Sequence, residues 1–459
     1  MKNSIKIKNK IKNPAISLFL ASLLAFAACD VLDVEPYHSI PADEAITTRA
    51  DVVSAINGVY SSLQSAGYYG RNYLVAGDLA ADNLTWTGTT AGYNQIDNNS
   101  ILADNVIVEG MWSAIYSMIS RANYVIASIP DVEELTQEEA DAFRAELYFL
   151  RALGHFDLAR MFGPVPIRTA PATSSEDDLN VPRRPLTEVY EQVFEDLDFA
   201  AEHIRTNVVR GLASQASVLA FRARAKLYYY AHSGLDSHLH EAASLATQVI
   251  DNYNLSLTPS FATLFDGNPN SESIFEVNFT EQDRNRLAEY FFPTGLSGRR
   301  EFAPTTKLYN FFESADQRRE ASIAMDGNNL YGIKYSDIET GADNVYVLRL
   351  AEMHLIRAEA NVLLQSSLEQ ARDDINAIRT RAGLAEIITT SPFLLQRQVK
   401  DMRQLEFAFE GHRWFDLVRT GEAINELENV HDTYQYLFPI PLGELLTNFH
   451  EGMYQNEGY

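Results

Sequence analysis

Flat aromatic rings set among planar amides, carboxylates and guanidinium groups are the side chains a sugar needs. The apolar C–H face of a pyranose lies on an indole or phenol ring, and its hydroxyls require polar groups to replace lost water. Residues 67–99 carry both kinds: Tyr68, Tyr69, Tyr73, Trp86 and Tyr93 with Arg71, Asn72, Asp82, Asn83, Asn94 and Gln95. Ligand contact is expected here of Trp86, Tyr73, Tyr93, Asn72, Asn83 and Asp82. Trp86 stands apart because Trp112 and Trp414 fall in helical stripes and read as core. The competing reading is that Trp86 plugs its loop onto the helices. A second candidate spans residues 278–300, where Tyr290, Phe291 and Phe292 follow Asp283, Arg284, Asn285 and Arg286 and precede Arg299-Arg300. Tyr290 and Arg284 are expected at the ligand, and at least one of Phe291 and Phe292 beneath the loop.

Other chemistries lack their residues. No Gly-x-Ser-x-Gly elbow or phosphate-binding glycine loop is present. Glycoside hydrolysis needs a carboxylate pair at a set separation, and nothing singles out one pair among 62 acidic residues. No catalytic residue is assigned. Arg144, Glu146, Arg151, His155, Asp157 and Arg160 interleave with an apolar stripe and read as surface or inter-helix ion pairs. Glu406, Glu410, His412, Arg413 and Asp416 lack the His-x-x-x-His pair of a zinc helix, and arginine among carboxylates favours pairing over metal. Asp266-Gly267-Asn268 and Asp326-Gly327-Asn328-Asn329 lack full calcium-loop spacing and read as plain turns. No metal or cofactor is expected. A formal charge of −25 opposes nucleic acid and anionic lipid, so a neutral or cationic ligand is the better fit.

The elements that must hold these loops are helical. Apolar periodicity begins near Ala50 (Val53, Ile56, Val59, Tyr60, Leu63) and returns over 111–129 and 139–161, the latter with Phe143, Leu147, Leu150, Leu153 and Phe156 in one stripe. Gly163-Pro164 stops that helix. Further helices are expected after Pro185 with Thr187 as N-cap, then over 215–232, 241–253, 346–364, 368–382 and 392–418. Residues 67–99 read as a long irregular excursion. Residues 255–335 read as another, with one short strand over 273–279. Helix pairs with short connections suggest stacked antiparallel hairpins.

Residues 1–12 carry five lysines and no acid, and the apolar run that follows is too short for an ordinary membrane span. Small residues lead into Cys29, the only cysteine, so residues 1–28 are expected to be a lipoprotein signal and Cys29 the lipidated residue. A simple secretory signal is the competing reading. With one cysteine there is no intramolecular disulfide, and the fold must stand on its apolar core.

Several stretches resemble the SusD/RagB family of outer-membrane nutrient-binding lipoproteins: CDVLDVEP at 29–36, NGVY at 57–60, RAELYFLRALGHFDLARMFGPVPI at 144–167, VLRLAEMHLIRAEA at 347–360, INAIRTRAGL at 375–384, RQLEFAFEGHRWFDLVRTG at 403–421, FPIP at 438–441 and QNEGY at 455–459. The resemblance implies a mostly α fold of tetratricopeptide-like stacked helix pairs with minor β. Residues 29–459 would form a single domain with loop insertions near 67–99 and 255–335. It also implies an outer-membrane, lipid-anchored protein facing the cell exterior, which binds an oligosaccharide or polysaccharide and docks on a SusC-like TonB-dependent transporter. Peptide capture in the same kind of system, or a helical interaction scaffold, are the alternatives.

Overall fold

Long amphipathic helices are laid down in sequence order, each packing on the one before it. The computed structural model describes residues 46–171 and 180–459, of which Ile46–Tyr459 forms one compact unit. The signal segment and Cys29 lie outside the described residues. The long helices are α1 (Arg49–Ser62), α2 (Val106–Ser128), α3 (Gln137–Phe162), α4 (Leu186–His203), α5 (Gln215–Ser233), α6 (Asp236–Asn252), α7 (Leu350–Leu363), α8 (Leu368–Arg381) and α9 (Pro392–Glu406), followed by the short α10 (Arg413–Arg419). Consecutive members of this series from α1 to α8 contact one another, and α9 packs on both α7 and α8. This is the stacked helix-pair arrangement expected from the sequence.

Local chemistry sets the helix ends. Thr48 and Asp51 form a capping box at α1, and Thr136 and Glu139 another at α3. Gly163, at φ 73°, stops α3. Leu147, Leu150, Leu153 and Phe156 are all sealed from solvent, so the predicted α3 stripe is the core stripe. Thr187 is not a cap: α4 starts at Leu186 directly after Pro185, and the Thr187 hydroxyl instead meets His232 Nε2 at 3.1 Å.

Two predicted helices prove composite. Residues 345–349 form a strand before α7, because the Val-Tyr-Val run has branched and aromatic side chains suited to a pleated surface and finds a partner strand. The expected helix over 392–418 breaks after Glu406, where Phe409 (φ 69°) and Gly411 (φ 76°) turn the chain before α10. Among the described residues, eight short strands make four antiparallel pairs: β1 (Leu84–Trp86) with β5 (Phe302–Pro304), β2 (Val165–Pro166) with β3 (Arg183–Arg184), β4 (Ser273–Val277) with β8 (Val345–Arg349), and β6 (Ile323–Asp326) with β7 (Asn329–Gly332). The Asp326–Asn329 segment read as a turn closes the β6–β7 hairpin.

Residues 67–99 are not an irregular loop. They contain the short helices Asn72–Leu79 and Ala91–Asp97 as well as β1. Every residue of Asn72–Leu79 is buried, so that helix has no polar face and leaves no helical period in the sequence.

The charged motif residues are structural. Arg151 pairs with Asp196 across α3 and α4 at 2.6 Å, both nearly fully buried. Glu406 accepts from Arg349 at 2.5 Å and Arg318 at 3.3 Å, and also from Arg381. Glu410 holds Arg349 and Lys334, and Asp416 holds Arg403 and Arg419. Among the described residues, no group of three His, Cys, Asp or Glu is placed to hold a metal, and no helix is long and apolar enough to cross a membrane.

Candidate functional site

The two stretches singled out by composition meet. β1 pairs with β5 so that Trp86 stands opposite Phe302, placing residues 84–90 against residues 300–304. The junction is closed by Glu301. Its carbonyl accepts from Thr87 N at 3.0 Å, and its carboxylate accepts from the amides of Thr89, at 3.0 Å, and Thr90. Burial works to raise the Glu301 carboxyl, but the Thr90 and Thr89 donors outweigh it and hold it below its ordinary value. Gly88 rests on this carboxylate so closely that an added Cβ would fall 2.3 Å from its carbon.

Around the junction lies a cationic and aromatic surface. The Arg71 guanidinium sits 4.0 Å from the centroid of the Tyr290 ring, and that of Arg299 sits 4.8 Å from it. Arg299 Nη1 also donates to Tyr290 Oη at 3.3 Å. Arg286 and Arg299 share Glu289, at 3.1 and 3.7 Å. Trp86 is partly buried, with its backbone N–H on Asp97 at 3.0 Å, and Arg284 is exposed, with Nε on the Thr340 carbonyl at 2.6 Å.

The other expected contacts have been taken up by the fold. Tyr73 is 1% exposed and, with Tyr68 and Tyr69, gives its phenol to Asp157 of α3; Tyr68 reaches it at 2.6 Å and Tyr69 at 2.9 Å. Burial pushes all three phenols well above their ordinary pKa. Tyr93 is equally buried, its ring edge-on to Tyr290 and Phe302 and its hydroxyl donating to Asn72 Oδ1 at 2.7 Å. Asn83 bonds Asp78 and Gln404, and Asp82 is paired to Arg413 at 2.7 Å and Lys307 at 2.9 Å. In this conformation Tyr73, Tyr93, Asn72, Asn83 and Asp82 offer a ligand no free face. Their polar groups satisfy buried neighbours instead. Tyr290 is 7% exposed and supports Arg71 and Arg299 rather than presenting its own ring. Phe291 is buried against Phe302 and Phe409, as expected for at least one of that pair.

Sequence reasoning missed Glu301, and it read Asp157 as an ion-pair residue without its role as acceptor for three phenols. The only trace of Glu301 was its place after the Arg299-Arg300 pair. Trp112 and Trp414 are core, as expected: Trp414 is sealed, and Trp112 packs edge-on to Phe162.

Comparison with known proteins places this geometry. A family model described as starch-binding, associating with outer membrane, matches residues 30–227, and a SusD family model matches residues 332–434. SusD-like protein P2 of Formosa agariphila is 28% identical over 96% of this chain and 99% of its own length. The starch-binding protein SusD of Bacteroides thetaiotaomicron is 28% identical over 36% of this chain and 30% of its own. A SusD superfamily structure from Bacteroides vulgatus superposes with a TM-score of 0.81 at 21% identity, covering 89% of this chain and 99% of that one. A laminarin-binding SusD-like protein superposes at 0.79 with 24% identity, covering 90% and 100%. The helix stack, the order of its motifs and these two matched regions agree that the chain belongs to the SusD/RagB family.

Proposed function

We propose that the chain is a non-catalytic cell-surface lipoprotein, anchored through Cys29, that captures an oligosaccharide at the Trp86 face. It then delivers the ligand to a SusC-like TonB-dependent outer-membrane transporter. The observation that carries the reading is the β1–β5 ladder. It pairs residues 84–86 with residues 302–304, and the Arg71 and Arg299 guanidiniums meet on the Tyr290 ring, which packs on Phe302 opposite Trp86. Aromatic rings and guanidinium donors gathered at one junction are the side-chain types a sugar ring and its hydroxyls require. The relatives named as starch- and laminarin-binding support this ligand class.

Affinity electrophoresis through gels containing laminarin or starch tests the proposal. The wild-type chain should be retarded by at least one, and Trp86→Ala should lose that retardation. Because Trp86 packs at the margin of the core, its loss should cost about 1–2 kcal/mol of stability, a few degrees of melting temperature. Retention unchanged in a folded Trp86→Ala protein would move the ligand away from this face. Peptides in place of glycans among ligands co-purified from native membranes would overturn the ligand class. Cys29→Ser should abolish membrane retention and leave gel retardation intact.

A further inference from the structure

A second cleft, of about 600 Å³, opens among the end of α3, the start of α4, the end of α5 and α10, with Arg160, the partner of Asp157, in its wall. Its volume is within the usual range for a small-molecule site. Tyr190, Tyr228, Phe415 and Tyr454 supply aromatic walls, and Arg160 and Arg183 supply charge.

Two side chains on this wall carry buried polar atoms with no hydrogen-bond partner: Arg160 Nη1 and Tyr228 Oη. The first residue is 9% exposed and the second 5%. Such atoms forfeit the solvation they had in the unfolded chain, and an acceptor placed between them recovers it. The charges point the same way. Arg160 is balanced by Asp157, and Arg419, also on the wall, by Glu359 and Asp416. Arg183 is 6% exposed and bonds only neutral acceptors, the carbonyls of Pro164, Tyr454 and Phe162 and the Asn456 side chain. Among the described residues no carboxylate pairs with it. Burial lowers its pKa.

We infer that this cleft is a second binding site, for a small organic monoanion: a carboxylate carried on a flat, largely apolar ring. A guanidinium with no carboxylate partner among the described residues calls for one negative charge, and the aromatic walls call for a ring rather than a bare ion. The carboxylate accepts from Arg160 and Tyr228 in the field of Arg183, while the ring lies among Tyr190, Phe415 and Tyr454.

Isothermal titration with benzoate, its neutral isostere benzamide, and inorganic sulfate tests the site. Benzoate should bind at least about tenfold more tightly than either control, a margin of about 1.4 kcal/mol. Tyr228→Phe removes an oxygen that bonds nothing, so the melt should hold while benzoate affinity falls about tenfold to a hundredfold, the worth of a hydrogen bond to a charge. Ala231→Trp, at an exposed position on the rim, should block benzoate whatever Tyr228→Phe does to folding. Equal binding of benzoate and benzamide, sulfate binding as tight as benzoate, no benzoate binding at about 10 mM, or benzoate affinity unchanged in Ala231→Trp would each overturn the assignment.

Discussion

Glu406→Gln keeps the shape of the side chain and removes one charge from a sealed cluster. The cluster holds Arg318, Arg349, Arg381 and Lys334 against Asp316, Glu272, Glu406 and Glu410, so its formal charges cancel. Each of these side chains is at most 4% exposed, which leaves little water to screen a missing charge. Removing one partner from such a network costs about 3–5 kcal/mol, because the opposing cation stays buried. Against a total of about 5–15 kcal/mol, that is a large fraction of the stability of a domain. Urea unfolding at pH 7 should show a lower midpoint with an unchanged slope. Burial alone would raise the Glu406 carboxyl, but Arg381, Arg349 and Arg318 hold it far below its ordinary value. Its folded pKa is therefore depressed, so its contribution is complete above the unfolded carboxylate value of about 4.3 and is lost as pH falls toward the folded one. The gap between wild type and variant should narrow below about pH 4, as the unfolded wild-type chain takes up a proton that glutamine cannot. A gap under about 1 kcal/mol at pH 7, or one that does not narrow in acid, would refute the claim that this charge balance stabilises the fold.

Three further perturbations probe the ground beneath the candidate site. Asp157→Asn leaves Arg160 without its carboxylate and three phenols without a charged acceptor, and should cost about 3–5 kcal/mol, against about 1 for Tyr69→Phe. Equal losses on thermal melting would show that the carboxylate is only one acceptor among several. Gly77→Ala places a Cβ 2.5 Å from the Gly411 carbonyl, backbone against backbone, and should destabilise by about 1–3 kcal/mol. Gly58→Ala in α1 meets nothing within 4 Å and should stabilise by about 0.5–1 kcal/mol, so a matching sign for the two would contradict the packing argument. Asp78 is fully buried, and burial raises its carboxyl to about 6. Its sign is opposite to that of Glu406: the unfolded chain ionises first, so stability falls by about 3 kcal/mol as pH rises from about 4 to 6 and is flat above. Carboxyl NMR showing Asp78 titrating near 4 would rule this out.

Parts of the chain that obey a single local rule were readable in advance. The stripe of Leu147, Leu150, Leu153 and Phe156 specifies a buried helix face, Gly163-Pro164 its end, and the arginines among Glu406, Glu410 and Asp416 specify ion pairs rather than a metal. The errors fall where burial is complete or where a distant partner decides. Asn72–Leu79 is buried all round and so shows no period. Residues 345–349 become a strand because β4 pairs with them, and the helix over 392–418 breaks because Gly411 fits against the short helix that contains Gly77.

The candidate site divides along the same line. Composition alone marked residues 67–99 and 278–300 as rich in rings and polar groups, because such clusters are a property of the chain. Which of those rings remain available is a property of the packed molecule. Tyr73 and Tyr93 share the chemistry of any ligand-stacking tyrosine, yet Asp157 and Asn72 take their hydroxyls and the core takes their faces. Sequence determined the helix stack, through short-range apolar periodicity, and the family, through the resemblance of its ordered motifs from residues 29–36 to 455–459. Only tertiary structure, by pairing Trp86 with Phe302 across more than two hundred residues, could decide that the two stretches form one surface. Only it could leave Arg183 without a counter-charge among the described residues, because charge compensation is set by distance in space.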